Sequence, residues 1–183
     1  MKNMIITVLS KPEVAKIKFS FGAISINSTS FRNVKNAVTT GKITVSYNAK
    51  LGAGRATYRY THNTLFAGFK ATAGIADREA LLVHECTHAA SDIAGKKMLV
   101  KESEAAAYIA QCLYFYYKNE KAIKAGATPT FKNNILKSTW PIAMKAVGNS
   151  SLSAADVKPL MDAISKHPLY LKRHSAKVIY DGI

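Results

Sequence analysis

The feature that most constrains the fold is a run without any charged side chain, residues 105–117. It lies in a segment with helical character that we expect to start near Glu102 and to end near Asn119. A helix that is apolar on every side is buried on every side, and this run is shorter than the roughly 20 residues that a helix needs to cross a bilayer. The sequence therefore predicts a central helix around which the rest of the chain packs.

Three segments before this helix have the composition and the alternation of apolar and polar residues that are typical of strands. They are residues 41–47, 56–61 and 64–69, with a turn at 52–54. Residues 17–26 are a further strand candidate, and residues 30–38 are a candidate for a short helix.

Helical periodicity dominates from residue 77 onward. We expect a helix at 77–94, with Asp77 as its N-cap and Gly95 as its stop, and later helices at 131–147, interrupted at Pro141, and at 154–166. Strands followed by helices predict an α+β fold with a small sheet on an active-site helix. We expect a single domain of residues 1–183, strand-rich over about 1–76 and helical over 77–183.

The chain is strongly basic, with 26 Lys and Arg against 11 Asp and Glu and a formal net charge of +15. Such a charge attracts polyanions or acidic partners. The basic residues are scattered, however, and are better explained by a solvated basic surface than by a dedicated nucleic-acid site. Nucleic-acid binding is therefore permitted but not favoured.

The N-terminal apolar run is interrupted by Lys11, Pro12 and Glu13, and no small-residue cleavage site follows it. Cys86 and Cys112 lack CxxC spacing and are expected to be free, buried thiols. We therefore expect a cytoplasmic protein without a membrane anchor, with export by a dedicated secretion system as the alternative.

The chemistry is concentrated in the sequence His84-Glu85-Cys86-Thr87-His88. His84 and His88 lie one helical turn apart and can direct two imidazole nitrogens at one Zn²⁺. Glu85 is rotated by about 100° from His84, which suits a general base for a metal-activated water better than a ligand. The alternative is that two histidines merely share a helix face. It is disfavoured because the apolar flanks would bury the helix, and a buried ionisable trio needs a partner.

A catalytic zinc in a peptidase takes three protein ligands, and Glu102 and Glu104 are the candidates for the third. Glu102 suits a helix cap, where the helix dipole stabilises a carboxylate. Glu104 directly precedes the uncharged run, where an unpaired carboxylate is costly and a metal would relieve that cost. We prefer Glu104.

Other residues are candidates for supporting roles. Asp92 could fix a ligand imidazole or be a solvated surface residue. Tyr108 could orient Glu104, meet substrate or belong to the core. An oxyanion donor is expected among three residues of the C-terminal tail, Tyr170, His174 and Tyr180, whereas His62 and His167 are expected at the surface.

The HExxH sequence, with Asp92 and the string from Glu104 to Gln111, resembles zincin-like metallopeptidases of the glutamate-zincin type, especially small bacterial proteins whose second helix reads E-A-x-A-Y. The resemblance covers about residues 77–119 and implies a zincin-like fold with Glu104 as the third zinc ligand. The usual N-E-x-x-S-D pattern of the second helix and the third histidine of metzincins, at Ala94, are absent.

These observations predict a zinc metallopeptidase acting on a protein or peptide, and the basic surface suits an acidic one. The resemblance implies use as a toxin or effector. The alternatives are a zinc-dependent amidase acting on a non-peptide or cell-wall amide, and a non-enzymatic basic binding module with a structural zinc. The strand at 64–69 is a candidate sheet edge for an extended substrate, or else an interior strand. The oligomeric state stays open.

Overall fold

The computed structural model describes residues 1–72 and 76–183. Its N-terminal part begins with helices α1 (Lys2–Leu9) and α2 (Pro12–Ala15), neither of which the sequence analysis predicted. Helix α1 buries Ile5, Val8 and Leu9 on one face. It packs against helix α3 (Ser28–Thr40) and against the helix that carries the HExxH motif, called the motif helix below. The part predicted as strand-rich therefore contains three helices beside its strands.

Residues 17–26 form a hairpin rather than one strand. Strand β1 (Phe19–Phe21) pairs antiparallel with β2 (Ile24–Ile26). Gly22 lies between them with φ +53°, a conformation that glycine adopts at little cost, and the chain reverses there. Helix α3 then starts at Asn27, whose side chain accepts from the N–H groups of Thr29 and Ser30.

Strands β3 (Thr44–Tyr47), β4 (Ala56–Arg59) and β5 (Thr64–Ala67) lie within the three strongest predicted strand segments. They form one sheet in the order β3-β5-β4, parallel between β3 and β5 and antiparallel between β4 and β5. Strand β5 is therefore the interior strand and not the edge. The edge strand next to the motif helix is β4, which packs against it.

A close contact between two glycines shapes the loop that precedes β4. A Cβ atom on Gly68 would lie 1.9 Å from the carbonyl oxygen of Gly52. We expect Gly68→Ala to lower the free energy of unfolding by about 1–3 kcal/mol, as overpacking does, because the backbone around Gly52 has to move. Gly54→Ala is the control, since a Cβ there meets open space. Denaturant unfolding measures both, and equal stabilities would contradict the prediction.

Helices α4 (Ala76–Ile93) and α5 (Val100–Lys118) form the centre of the fold and pack on each other. The uncharged run is buried as predicted, with residues 105–110 all buried. Asp77 lies inside the first turn of α4 rather than at its cap; the three residues before Ala76 lie outside the described part of the chain. Cys86 and Cys112 are buried free thiols, as predicted.

Three further helices follow α5 in the chain and pack against it. Helix α6 (Glu120–Lys124) follows α5 directly, and α7 (Asn134–Gly148) and α8 (Ala154–Lys166) pack against α5 and each other. The predicted interruption at Pro141 is wrong, because α7 runs through it. Packing offsets the lost backbone hydrogen bond, since Ile142, Ala143 and Ala146 are buried just beyond it.

The C-terminal tail returns to the beginning of α5. Strand β6 (Lys97–Leu99) pairs antiparallel with β7 (Lys177–Ile179), and the N–H of Lys101 donates to the carbonyl oxygen of His174. This pairing brings the tail beside the motif helix. Together the elements make a mixed α+β structure with small sheets, and none of the helices described in it has the length and apolar character to cross a membrane.

Candidate metal centre

His84, His88 and Glu104 form a cluster that could hold a metal ion, with one donor atom from each lying within 4.8 Å of the other two. The Nε2 atoms of His84 and His88 lie 3.5 and 3.8 Å from Oε2 of Glu104. The two histidines come from successive turns of α4, and Glu104 comes from the first turns of α5, which packs beside it. Two imidazoles and one carboxylate are a donor set that suits zinc.

The other nitrogen of each imidazole is held by α5. Nδ1 of His84 lies 3.1 Å from Oε1 of Gln111, and Nδ1 of His88 lies 2.8 Å from Oγ of Ser103. Partners of this kind fix the orientation of a ligand histidine and turn its Nε2 towards the metal. The cluster is therefore oriented before any ion binds.

The two candidate carboxylates of α5 are separated in space. Glu102 accepts from the backbone N–H of Leu99 at 2.7 Å and caps the helix, whereas Glu104 faces the histidines. Hydrogen bonding with His84 and the positive charge on the imidazoles outweigh burial and lower the pKa of Glu104 to about 2. The preference for Glu104 over Glu102 agrees with this arrangement.

The two histidines differ in their proton affinity. Burial lowers the pKa of His88 to about 4, which leaves it neutral at pH 7. For His84, burial acts in the same direction but is outweighed by Glu104 and Glu85, which raise its pKa above the ordinary value. As the pH rises, His84 therefore keeps its proton to a higher pH than His88 does.

Glu85 lies beside the cluster and is 7% exposed. Its Oε2 accepts from the backbone N–H of Tyr58, in the edge strand β4, at 2.7 Å. Burial raises the pKa of Glu85 to about 7, against the opposing effect of His84. One carboxylate oxygen is thus fixed by the strand, and the group exchanges its proton near neutral pH.

Asp92 has neither of the two roles considered for it. It is fully buried, and its Oδ2 accepts from the hydroxyl of Tyr58 at 2.6 Å. A surface position is excluded by the burial, and the contact made is to a tyrosine rather than to a ligand imidazole. Asp92 therefore links the end of the motif helix to the edge strand, and it does not belong to the cluster of His84, His88 and Glu104.

Removing the hydroxyl of Tyr58 tests this link. We expect Tyr58→Phe to lower the free energy of unfolding by about 1–3 kcal/mol, because it removes a hydroxyl donor from a buried carboxylate. Tyr47→Phe is the matched control, since Tyr47 is 41% exposed and surface changes usually stay within about 0.5 kcal/mol. Urea denaturation compares the two, and a loss no larger than the control's would argue against the link.

Two of the three tail residues approach the cluster. The hydroxyl of Tyr170 donates to Oε2 of Glu104 at 2.9 Å, and the hydroxyl of Tyr180 lies 3.2 Å from Nδ1 of His88 and 2.8 Å from Oγ of Ser103. His174 lies outside the cluster and contributes its backbone carbonyl to the link with α5. Burial and the charge of Glu104 raise the pKa of Tyr170, so its hydroxyl keeps its proton and remains a donor.

Tyr108 contacts the site through its neighbours. Its hydroxyl lies 3.2 Å from that of Tyr170, and its ring packs edge-on against His84 with centroids 4.6 Å apart. It therefore contacts His84 directly and Glu104 through Tyr170. His62 is exposed and His167 is half-buried, with the ring of His167 5.8 Å from that of Tyr170.

Sequence reasoning missed four residues of this site: Tyr58, Ser103, Gln111 and Arg173. Ser103 and Gln111 had a usable signal, because polar residues in an otherwise apolar helix need partners. Tyr58 and Arg173 carried no such signal in the sequence. Tyr58 reaches the site because β4 pairs at the edge of the sheet, and Arg173 reaches it because the C-terminal tail returns to α5.

Comparison of the chain with protein-family models, with curated proteins and with solved structures returned no match. The geometry of the cluster therefore carries the functional argument.

Proposed function

We propose that this chain is a zinc-dependent metallopeptidase that hydrolyses peptide bonds with Glu85 as general base. The observation that carries the proposal is the convergence of His84, His88 and Glu104 within 4.8 Å, with a carboxylate of raised pKa beside them. A structural zinc site is closed by four ligands, whereas a catalytic one has three and keeps a position open. The donor set therefore favours an enzyme.

The donor set fits zinc in its chemistry as well as in its number. His84 and His88 would bind through Nε2 and Glu104 through its carboxylate. The Nδ1 atoms of the two histidines are held by α5, and Oε2 of Glu104 accepts from Tyr170 of the tail. When bound, zinc supplies Lewis-acid chemistry, acidifying water and polarising a carbonyl group.

Glu85 is suited to move the proton. Its Oε2 is held by the N–H of Tyr58, which leaves Oε1 to accept a proton from the attacking water and to pass it to the leaving amine. A base with a pKa near the working pH does both most efficiently. Tyr170, which stays protonated, is the proposed donor to the developing oxyanion, and its hydroxyl would turn from Oε2 of Glu104 to make that bond.

The position of β4 supports a peptide as the substrate. In an antiparallel pair, alternate residues turn their backbone groups towards the partner strand. The carbonyl oxygen of Arg55 accepts from the N–H of Gly68 in this way, so Ala56 and Tyr58 turn their backbone groups outward. The N–H of Tyr58 bonds to Glu85, which leaves the backbone groups of Ala56 and the carbonyl oxygen of Tyr58 for a substrate. An extended peptide can add to such an edge through its own backbone.

The test is cleavage of a peptide library by the purified, zinc-loaded protein. We expect cleavage that 1,10-phenanthroline abolishes and added Zn²⁺ restores. Absence of peptide cleavage together with activity on muropeptides would favour a cell-wall amidase instead. Salt-sensitive nucleic-acid binding that survives chelation, with neither activity, would favour a basic binding module.

A further inference from the structure

The cleft around His84, His88 and Glu104 has two ends of different character. The end on the His84 side has a volume of about 690 Å³, and the end on the His88 side has about 270 Å³. Ala56, His84, Glu85 and Tyr170 line both, whereas His88 and Glu104 line only the smaller end. The cluster therefore lies in the smaller end, beside its opening into the larger one.

The larger end is lined by apolar side chains from five parts of the chain. They are Leu51, Leu81, Phe115, Phe131, Leu136 and Leu169. The charged residues Arg55, Asp77 and Lys132 line the same end. Leu169, which is 65% exposed, extends this apolar surface to the rim of the cleft. The volume leaves room for a large aliphatic or aromatic side chain together with its neighbours.

The smaller end is polar and carries a positive charge. Thr57, Tyr60, Ser103 and Tyr180 line it together with Arg173, whose guanidinium lies 5.4 Å from the ring centroid of Tyr170. Among its described lining residues, the acidic ones are Glu85 and Glu104, both already assigned to the proposed chemistry. A free peptide N-terminus, which is positively charged, would meet Arg173 there without a carboxylate to pair with.

The edge strand gives the cleft a direction. Leu51, Gly54 and Arg55, before β4, line the apolar end, whereas Thr57, Tyr58 and Tyr60 line the polar end. A peptide that adds antiparallel to β4, the more stable arrangement, runs from the polar end to the apolar end. Its residues before the scissile bond lie near Arg173, and those after it lie in the apolar end.

We infer that the cleft selects internal peptide segments with an acidic residue on the N-terminal side of the scissile bond and a large apolar residue on its C-terminal side. This inference rests on the proposed function and adds the substrate class to it. Arg173 determines the first preference, and Phe131 and Leu136 determine the second.

The experiment compares kcat/KM on matched internal peptides. We expect Leu or Phe after the scissile bond to exceed Ala by roughly tenfold or more, as side-chain discrimination in apolar pockets does. Glu before the bond should exceed Lys by about threefold to fivefold, the range of one exposed ion pair. A reversed profile would mean that the peptide runs parallel to β4, and a flat profile would mean that the two ends do not select; either result overturns the inference.

Charge-reversal variants separate Arg173 from the general charge of the surface. Arg173→Glu should reverse the preference for Glu over Lys, whereas Lys172→Glu, an exposed neighbour outside the cleft lining with the same change of charge, should leave it intact. Equal effects of the two variants would show that the overall charge, and not the polar end, sets the preference.

A change at the apolar end tests the second preference. Leu136→Glu should remove the preference for Leu or Phe after the scissile bond and favour Lys there, and an unchanged preference would overturn this part of the inference. Phe131→Ala, which enlarges the end without adding a charge, should weaken selection for Leu more than for Phe.

Binding provides a readout that does not depend on turnover. A fluorescein-labelled peptide with Glu and Phe flanking the central bond should bind the Glu85→Gln protein more tightly than its Lys and Ala counterpart, by fluorescence polarisation. Cleavage without these preferences would overturn the inference and leave the proposed peptidase standing. Selective binding without any cleavage by the zinc-loaded wild type would instead contradict the peptidase.

Discussion

Replacing Glu85 by glutamine is expected to lower kcat/KM for peptide cleavage by about 10²–10⁴-fold, the contribution typical of a general acid–base group. Glutamine keeps an oxygen that can accept from the N–H of Tyr58 but cannot take a proton from water. The fold and the metal ligands are therefore retained while proton transfer is lost. Progress curves on the best library peptide measure the effect.

The Glu85→Gln result is informative only beside measured zinc content and stability. We expect zinc content by elemental analysis, and the melting temperature with zinc, to stay close to those of the unmodified protein. Retention of full activity by Glu85→Gln would remove Glu85 from the proposed role. Loss of activity together with loss of zinc would instead indicate that Glu85 supports the metal site.

The second large effect is expected on zinc affinity when Glu104 becomes glutamine. The variant removes the negative charge from one of three proposed ligands and keeps an oxygen for the hydroxyl of Tyr170. We expect zinc affinity to fall by at least about 100-fold, because changes in outer-shell partners alone cost roughly 10–100-fold. Competition with a chromogenic chelator measures the affinity.

Glu102→Gln is the matched control, since it makes the same change two residues earlier on the same helix. Glu102 bonds to the backbone of Leu99, so the variant should affect helix capping and leave zinc affinity within a few fold. Zinc at about 100 times its Kd should add about 2.7 kcal/mol to the free energy of unfolding, and only Glu104→Gln should abolish that gain. Equal losses in the two variants would contradict the assignment of Glu104.

Zinc affinity should also depend on pH in a defined direction. His84 has to lose its proton before Nε2 can bind a metal, and its pKa lies above the ordinary value because Glu104 and Glu85 outweigh the effect of burial. Affinity should therefore rise with pH up to the pKa of His84, by up to about tenfold per pH unit for one released proton. Calorimetry in buffers of different ionisation enthalpy counts that proton, and a pH-independent affinity would contradict the prediction.

Local patterns predicted a large part of this fold. The motif helix, the uncharged helix and the three strands of the main sheet are determined by periodicity and burial within single segments, which sequence patterns report directly. Helix α1 and the pair β6–β7 escaped prediction. The first reads as a short apolar run, and the second consists of two three-residue strands whose pairing joins segments almost eighty positions apart.

Asp92 shows why the details of the site were harder to predict. Its spacing from His88 allowed a contact with an imidazole or a position at the surface, but the side chain reaches Tyr58 of β4. The strand order decides this contact, because β4 rather than β5 lies at the edge beside α4. Spacing along a helix defines which face a residue occupies, but not what packs against that face.

The uncharged run, by itself, determined that α5 lies at the centre of the molecule, since a helix without a charged face is stable only when it is buried. The HExxH spacing likewise determined that His84 and His88 share a helix face, because that geometry is local. Only the tertiary structure decided that Glu104 rather than Glu102 meets them, and that Tyr170, Arg173 and Tyr180 close the cleft from the tail. These contacts depend on how α5 packs against α4 and on where β7 pairs, which are long-range choices set by packing rather than by local sequence.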